Sequence, residues 1–316
     1  MRVATSASGD VPLAIVELPS RPLGPRDVRV RVGAISVNPV DWKMRSGGPL
    51  RFAHRFIGPR GPLVIGVDFA GEVVEVGRRV VGLALGARVV GGTNFSRGQL
   101  GSYADEVVVR PDQCAVLPDT MSFEDAACIP VAGVTAWSAL TEYARIKAGS
   151  RVLVLGASGG VGLAAIQLGK MLGATCYGVC SARNVALVER LGATAIDYGK
   201  SDALEQARAY GSYDLILNAV GTHTYPGDEC RALLTAGGKH VLPVIGGRDL
   251  LPIAFLPNTH SILGKPSKRT LDPLVAAMAR GEYQAVIEAK YPLAEAEAAH
   301  VRSKAGKVVG KLVLIP

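Results

Sequence analysis

A glycine-rich turn at residues 156–162 (Gly-Ala-Ser-Gly-Gly-Val-Gly) is the clearest candidate for binding chemistry. It follows the short apolar run Val152–Leu155, typical of a buried strand, and precedes apolar residues at helical spacing that end at Gly173. A strand, a glycine turn and a helix together present backbone N–H groups and a positive helix end to a pyrophosphate. An ordinary glycine turn of an α/β protein is the alternative. The residues expected to contact a dinucleotide here are Ala157, Ser158, Gly159, Gly160, Val161 and Gly162.

A second candidate follows Thr175–Cys180, which reads as the next strand. An NAD site has a carboxylate at the end of that strand, where it binds the ribose 2′-hydroxyl, but this chain has Ser181 and Arg183 in that turn. A hydroxyl and a guanidinium favour a 2′-phosphate, because arginine binds phosphate through two parallel hydrogen bonds. The sequence therefore predicts NADPH, unless Arg183 is only a solvated residue of the following helix.

The elements that position these motifs change in character near residue 120. Residues 1–120 contain strand patterns such as Val28–Val32, with Gly and Pro between them, which indicates a compact barrel-like domain. A helical segment at 122–143 leads into the glycine turn, and strands then alternate with helices to about residue 247. Such alternation predicts an α/β domain with a doubly wound parallel sheet. Further elements are expected at Leu271–Arg280 (helix), Ala294–Arg302 (helix) and Lys311–Ile315 (strand).

Composition restricts the class of protein. A chain of 316 residues is long enough for two domains, and no apolar run reaches the length of a membrane helix. Five cysteines without a CxxC pair favour reduced thiols, and with no apolar signal core at Met1 we expect a cytoplasmic protein without a membrane partner. The net charge of +8 is dispersed and aromatics are only 5%, so nucleic-acid binding is not expected. Attraction of an acidic small molecule fits the charge better.

Motifs along most of the chain resemble those of the medium-chain dehydrogenase/reductase superfamily, in particular its zinc-free quinone oxidoreductase branch and the reductases similar to reticulon-4-interacting protein. This resemblance implies a GroES-like catalytic domain at 1–121 and 250–316, with a Rossmann-type cofactor domain at 122–249 between them. The matching segments are Ser36–Gly47, Ile65–Gly71, Pro130–Ala136, Gly156–Gly162, Cys180–Asn184, Leu191–Ala193, Ile196–Tyr198, Asn218–Gly221 and Gly310–Val313.

The resemblance also bears on metal binding. Alcohol dehydrogenases of this superfamily bind catalytic zinc through an early cysteine, a Gly-His-Glu motif and a later cysteine. The matching positions here hold Asn38 and Gly66-Val67-Asp68, and the lobe that carries structural zinc is missing. Neither Asn38 nor Val67 supplies a thiolate or an imidazole. We therefore expect no zinc and no metal-assisted alcohol oxidation.

The resemblance implies further cofactor contacts. In the quinone oxidoreductase branch a tyrosine after the third strand joins the basic residue, and Tyr198 matches it. Thr135 matches a position that approaches the nicotinamide, and the turn at Asn218–Gly221 matches one that passes the ribose. Further contacts are expected from Val220 in that turn and from Lys311, the basic residue near the C-terminus.

The segment Asn38–Arg45 holds the candidate catalytic residues. Without a metal, hydride from the cofactor is best accepted by a conjugated carbonyl, whose oxygen then needs a hydrogen-bond donor and later a proton. Lys43 lies where many relatives carry tyrosine and others lysine, and we expect it either to donate to the enolate oxygen or to bind the nicotinamide ribose. Asn38 and Asp41 are expected to hold the loop, with Asp41 orienting Lys43. An exposed loop lysine and protonation by water are the alternatives.

Three functions remain open on these patterns. The first is an NADPH-dependent, zinc-free reductase of quinones or α,β-unsaturated carbonyls, and the second is an enoyl-thioester reductase acting on CoA or carrier-bound chains. The third is an NADPH-binding protein that serves as a structural or interaction partner. A basic loop at Arg45–Arg60 favours the thioester if it binds phosphate, whereas a solvated loop favours a small acceptor. The resemblance implies a homodimer, and Leu250–Leu256 either contacts the second subunit or lines the substrate cleft.

Overall fold

The computed structural model describes residues 1–5, 11–47, 56, 61–243 and 257–316. The chain forms two compact units: unit 1 is Met1–Val131, Lys265–Arg280 and Ala285–Pro316, and unit 2 is Ala132–Gly264 and Gly281–Gln284. The sequence places the first boundary at residue 121, ten residues earlier. The intervening segment belongs to unit 1 because Phe123 packs on Gly33, where an added Cβ would lie 2.5 Å from the ring, and because Val131 N donates to Asp68 Oδ1 (3.0 Å).

The first part of unit 1 is mainly β-structure. Valines 28, 30 and 32 are buried while Arg29 and Arg31 alternate with them, which is the two-residue period of a strand with one face in the core. Short 3₁₀ turns lie at Phe95–Arg97 and Pro111–Gln113. The strands are β1 (Arg2–Thr5), β2 (Ala14–Glu17), β3 (Val28–Val37), β4 (Asp68–Val76), β5 (Arg88–Gly92), β6 (Glu106–Val109) and β7 (Cys114–Val116), and the helices are α1 (Pro39–Arg45) and α2 (Phe123–Ala127).

Unit 2 is the predicted doubly wound domain. Its strands are all parallel and lie in the order β10-β9-β8-β11-β12-β13 within the described residues, which is the strand order of the dinucleotide-binding fold. Two π-helical turns, Ile129–Gly133 and Ala139–Tyr143, flank the first helix. The strands are β8 (Arg151–Leu155), β9 (Thr175–Cys180), β10 (Ala193–Asp197), β11 (Tyr213–Asn218), β12 (Leu234–Leu242) and β13 (Thr259–Ser261); the helices are α3 (Val134–Ser138), α4 (Gly160–Met171), α5 (Val185–Arg190), α6 (Ala203–Arg208) and α7 (Gly227–Arg231).

The chain then returns to unit 1 with α8 (Lys268–Ala279), β14 (Ile287–Pro292), α9 (Ala296–Lys304) and β15 (Lys311–Ile315). Strand β15 pairs antiparallel with β3, so the C-terminus completes a sheet that starts near the N-terminus. Within the described residues the order is β14-β15-β3-β4-β5-β7, and β6 also pairs with β3. This sheet places Lys311, the first residue of β15, beside the end of β3 that leads to Asn38.

No described helix is long and apolar enough to cross a bilayer. The predicted fold class is confirmed: a GroES-like β-rich unit accompanies a Rossmann-type parallel sheet. Strands β13 and β14 are not predicted from the sequence. Thr259–Ser261 is only three residues long, too short for a recognisable pattern. Ile287–Pro292 alternates half-buried and exposed residues, so it has no fully buried face.

Candidate functional site

In unit 2 the glycine turn joins β8 to α4. Gly156 has φ of +84°, a left-handed conformation that favours glycine. Gly162 must also be small, because a Cβ there would lie 2.4 Å from the carbonyl oxygen of Gly156. Gly159 precedes α4 in an extended conformation and gives the helix no side-chain cap. The N–H groups of the first turn therefore remain available for an external acceptor, the geometry that binds a pyrophosphate.

Alanine at the first motif position is accommodated by packing against the neighbouring strand. Ala157 is fully buried, and its N–H donates to the carbonyl of Val179 (2.9 Å). A Cβ added to Gly178 would lie 2.8 Å from the Ala157 Cβ, so β9 supplies the small residue at this contact. The departure from the usual glycine pattern therefore leaves the turn intact.

The structure places Ser181, Arg183 and Tyr198 at the carboxyl ends of β9 and β10. Ser181 and Arg183 follow β9, where the Arg183 side chain is exposed. Tyr198 directly follows β10; its N–H donates to the carbonyl of Cys180 (3.2 Å), and its side chain is half-exposed. A carboxylate is also nearby, since Asp197 ends β10, but its Oδ1 accepts the N–H of Gly199 (2.9 Å) and so holds the turn. A hydroxyl, a guanidinium and a phenol thus follow the carboxyl ends of two neighbouring strands.

Two further predicted cofactor residues of unit 2, Asn218 and Thr135, are buried. Asn218 ends β11, and its buried Oδ1 accepts the N–H groups of Val220 (3.2 Å) and Gly221 (2.9 Å). A Cβ on Gly156 would lie 2.9 Å from Val220, so this turn packs on the glycine turn. Thr135, on α3, is buried, and a Cβ on Gly264 would lie 2.5 Å from its hydroxyl.

In unit 1 a buried ammonium binds the residue before α1. Lys311 Nζ donates to Asn38 Oδ1 (2.5 Å) and to the carbonyl of Val37 (3.1 Å), and it lies 3.9 Å from Asp68 Oδ2. Asn38 Nδ2 in turn donates to Asp68 Oδ2 (2.9 Å). The sequence assigns Lys311 to the cofactor; the bonds described for it all lie within unit 1, and the cofactor contact stays a prediction.

Asp68 is saturated by donors. Besides Asn38, its carboxylate accepts from Ser36 Oγ (2.6 Å) and from the N–H of Val131 (3.0 Å). Burial raises its pKa, and Lys311 and these donors oppose that rise. Asn38 and the segment Gly66-Val67-Asp68 stand where the sequence analysis matches the zinc-binding motifs of alcohol dehydrogenases. A metal does not fit this donor set, since an amide replaces the thiolate and a buried ammonium already supplies the positive charge. Among the described residues no group of three His, Cys, Asp or Glu side chains could hold a metal.

Asp41, the third residue of α1, ends a buried chain of hydrogen bonds. Its Oδ2 accepts from the backbone N–H of Asn38 (2.8 Å) and from the hydroxyl of Tyr103 (3.2 Å). Tyr103 Oη lies 3.1 Å from His300 Nε2, and Arg45 lies 3.4 Å from His300 Nδ1. Arginine only donates, so Nδ1 accepts, Nε2–H donates to the tyrosine, and the tyrosine donates to Asp41. Every donor in the chain points toward the carboxyl group.

The charge states in this chain follow from burial. Burial raises the pKa of Asp41 to about 7, and its Oδ1 has no hydrogen-bond partner among the described residues. Burial, with Arg45 second, lowers the pKa of His300 to about 4, so the imidazole is neutral near pH 7. Arg45 is itself balanced by Glu297 at 2.6 Å. A pKa of about 7 means that the Asp41 carboxyl is about half protonated at neutral pH, where the His300 imidazole is neutral.

Lys43 lies on α1, two residues after Asp41. Its side chain is half-buried, and Nζ lies 5.7 Å from the centroid of the Trp42 ring. Asp41 accepts hydrogen bonds from Asn38 and Tyr103, and these bonds fix the start of α1. Asn38 and Asp41 contact each other at the start of this segment, which also carries Lys43. The roles assigned to these three residues stay predictions.

Several residues of this cluster escape sequence reasoning. Tyr103 and His300 come from distant parts of the chain and have no motif, and only the fold brings them to Asp41. Asp68 and Ser36 lie within matched motifs, which was the signal available for them. The greater part of the predicted basic loop (48–55 and 57–60) and the apolar stretch Leu250–Leu256 lie outside the described residues; Phe56 is described and exposed.

Comparison with known proteins supports the fold class of the two units. The alcohol dehydrogenase GroES-like domain model matches residues 24–119, and the zinc-binding dehydrogenase model matches residues 191–314. The human mitochondrial protein named NAD(P)H oxidoreductase RTN4IP1 is 31% identical, over 92% of this chain and 82% of its own length. A trans-enoyl reductase of Aspergillus terreus, pgmF, is 33% identical over 64% of this chain and 57% of its own length.

Among solved structures, the quinone oxidoreductase from Coxiella burnetii superimposes with a TM-score of 0.88. It is 30% identical to this chain, and the match covers 100% of this chain and 98% of that one.

Proposed function

Because this chain belongs to the medium-chain dehydrogenase/reductase superfamily, as a homologue of its quinone oxidoreductases, we propose that it is an NADPH-dependent, zinc-independent reductase of quinones or α,β-unsaturated carbonyl compounds. The observation that carries the proposal is the N-terminus of α4, which directly follows the glycine turn and has no side-chain cap. Ser181, Arg183 and Tyr198 follow the carboxyl ends of the neighbouring strands. A helix N-terminus suits a pyrophosphate, and a hydroxyl with a guanidinium suits a second phosphate.

Each group of predicted cofactor-binding residues would bind a different part of NADPH. The first-turn N–H groups of α4 would bind the pyrophosphate, and Gly156 and Gly162 keep the approach open. Ser181, Arg183 and Tyr198 would bind the 2′-phosphate. Asn218 holds the turn that carries Val220, which would contact the ribose, and Thr135 would lie near the nicotinamide. When bound, NADPH supplies a hydride.

In the catalytic step the protein has mainly to stabilise charge, and it needs little acid–base catalysis. Reduction of a conjugated acceptor leaves negative charge on its oxygen, and a cation or donor stabilises that charge. We assign this role to Lys43, or else a role in binding the nicotinamide ribose. Asn38 and Asp41 would position α1 through the Lys311 and Tyr103 contacts.

The test is a panel of p-quinones, enones and crotonyl-CoA, each assayed with NADPH and with NADH. Turnover of quinones or enones supports the proposal, whereas preference for crotonyl-CoA would favour an enoyl-thioester reductase, to which the Aspergillus terreus relative lends support. Cofactor binding without turnover of any acceptor would favour a binding protein. For the cofactor, R183A should weaken NADPH far more than NADH. R190A, which removes an exposed arginine from the end of α5, is the matched control.

A Lys43→Ala variant tests the catalytic assignment. We expect lower turnover with nearly unchanged NADPH affinity if Lys43 stabilises the enolate, and weaker NADPH binding if it holds the ribose. Unchanged turnover and binding would remove Lys43 from the site.

We also propose a homodimer formed by adding a strand to the edge of the parallel sheet. Among the described residues β13 is an edge strand, paired only with β12, which leaves one side open. Light scattering on the purified protein should give twice the monomer mass, and a monomer at all concentrations would refute this.

A further inference from the structure

Unit 1 contains a concave surface at the end of β3 opposite to Asn38. It is a cleft of about 990 Å³, formed by the segment before β3, the loop after β4, the turn at 97–99 and the end of β6. That volume is at the upper end of ligand pockets. Asp27, which lines the cleft, precedes β3, whereas Asn38 follows it, and a ten-residue strand separates them by about 30 Å.

Arginine dominates the lining of this cleft. Two of the five arginines are neutralised: Arg97 donates to both carboxylate oxygens of Asp112 (2.9 and 3.1 Å), and Arg110 lies 2.7 Å from Asp27. Among the described residues no other charged side chain lines it, so five arginines less two aspartates leave a net charge of +3 on the described lining. The full set of arginines is Arg21, Arg26, Arg79, Arg97 and Arg110.

The remaining cations are poorly compensated. Arg21 donates to the carbonyl of Gly98. Arg26 and Arg79 are exposed, and within the described part of the chain neither side chain has a hydrogen bond or an ion pair. Like charges in one cleft repel each other and raise the local concentration of anions. A guanidinium pair without protein partners therefore has donors to offer.

The walls of the cleft are fixed by backbone contacts. Arg79 N donates to the carbonyl of Pro25 (2.7 Å), and Gly77 N donates to that of Asp27 (2.9 Å). A Cβ on Gly77 would lie 2.4 Å from the carbonyl oxygen of Gly24, so only glycine allows this approach. The loops that carry Arg26 and Arg79 are thus held together before any ligand arrives, which lowers the cost of binding.

We propose that this arginine cleft binds a small polyanion with two or more phosphate or carboxylate groups. The planar guanidinium groups match such groups bidentately. The described lining of the cleft contains no aromatic side chain, so the charged groups rather than a stacked base would be recognised. The site goes beyond the proposed reductase activity and does not depend on it.

The experiment is calorimetric titration of the whole chain with inorganic tripolyphosphate, and separately with citrate, in the presence of saturating NADPH. Occupancy of the cofactor turn by NADPH keeps the probe from binding there. We expect one site per chain, with affinity that falls as ionic strength rises. The double variant R26Q/R79Q should weaken binding at least about tenfold. Stronger binding of tripolyphosphate than of citrate would identify phosphate as the preferred group, and the reverse would identify carboxylate.

The matched control is R2Q/R31Q, which removes two exposed arginines of unit 1 outside the cleft. It should bind the probes as the wild type does, and thermal unfolding should show all three proteins folded. Absence of binding by the wild type, equal binding by R26Q/R79Q, or an equal loss in R2Q/R31Q would overturn the proposal. Each readout is a binding measurement, so failure of the reductase assay leaves it unaffected.

Discussion

The ammonium of Lys311 lies 2.5 Å from Asn38 Oδ1, and Asn38 Nδ2 lies 2.9 Å from Asp68 Oδ2. One amide therefore bridges a buried cation and a buried carboxylate. This bridge ties the start of β15 to the residue that precedes α1, so the C-terminal strand fixes the segment that carries Lys43.

Replacement of Lys311 by methionine should destabilise unit 1. The change leaves Asp68 charged and buried without its cation, and breaking a buried pair in this way costs about 3–5 kcal/mol. Urea unfolding measures the loss. D68N alone should also destabilise, and the double variant K311M/D68N should lose less than the sum of the two single losses. Additive losses would show that the two charges do not interact.

Asp41 should give stability a pH dependence. Burial raises its pKa to about 7, against about 3.9 in an unfolded chain, so the folded state binds a proton that the unfolded state releases between these values. This contribution is complete below about pH 4 and is lost as pH rises through 7. The unfolding free energy of the wild type minus that of D41N should therefore fall, by at most about 1.4 kcal/mol per pH unit, across that window.

His300 makes the comparison with D41N necessary. Its pKa is lowered to about 4 by burial, so its contribution has the opposite sign and is lost as pH falls from about 6.5 toward 4. In the wild type the two slopes oppose each other, and D41N removes only the first. A wild-type minus D41N difference that stays constant from pH 4 to 8 would show that Asp41 keeps an ordinary pKa.

The hydroxyl of Tyr103 is expected to stabilise the buried chain. Y103F leaves Asp41 Oδ2 with one donor fewer and His300 Nε2–H without an acceptor, at a cost of about 1–3 kcal/mol. Chemical denaturation of the variant gives the value. Y210F, at an exposed tyrosine of unit 2, is the control and should stay within about 0.5 kcal/mol of the wild type. Equal stability of Y103F and wild type would argue against the assigned direction of the bonds.

Two glycines of the turn should respond differently to alanine. In G162A the new Cβ would lie 2.4 Å from the carbonyl oxygen of Gly156, so the turn must shift, and both the melting temperature and NADPH affinity should fall. In G159A the new Cβ would lie 3.5 Å from the carbonyl oxygen of Gly156, an ordinary contact, and φ is −80°, so the apoprotein should melt as the wild type does. Differential scanning calorimetry and cofactor titration distinguish the two. A G162A protein with wild-type cofactor affinity would contradict the assigned role of the turn.

The sequence predicts the local part of this structure well. The turn at 156–162, strand Thr175–Cys180 and strand Lys311–Ile315 each depend on residues that are adjacent in the chain, where the period of apolar residues and the glycines decide the conformation. The parallel sheet follows from their alternation. These features confirm the predicted fold class.

The polar cluster of unit 1, by contrast, depends on contacts between residues that are distant in the chain. Lys311 and Asn38 are separated by most of the chain. The resemblance assigns both ends of the chain to one domain, but the local sequence does not indicate that β15 pairs with β3. The path from Arg45 through His300 and Tyr103 to Asp41 likewise depends on tertiary packing. Sequence reasoning found Asn38 and Asp41 from their motif, but their partners required the structure.

The central claim is that a phosphorylated nicotinamide cofactor supplies hydride without help from a metal ion. The most direct measurement is the initial rate of NADPH oxidation with a p-quinone by protein dialysed against EDTA, compared with the rate for NADH. The account predicts a rate that chelation leaves unchanged and an NADPH preference of at least about tenfold, since one guanidinium–phosphate contact is worth about 1.5–3 kcal/mol. Activity that disappears on chelation and returns with zinc, or equal use of NADH, would contradict it.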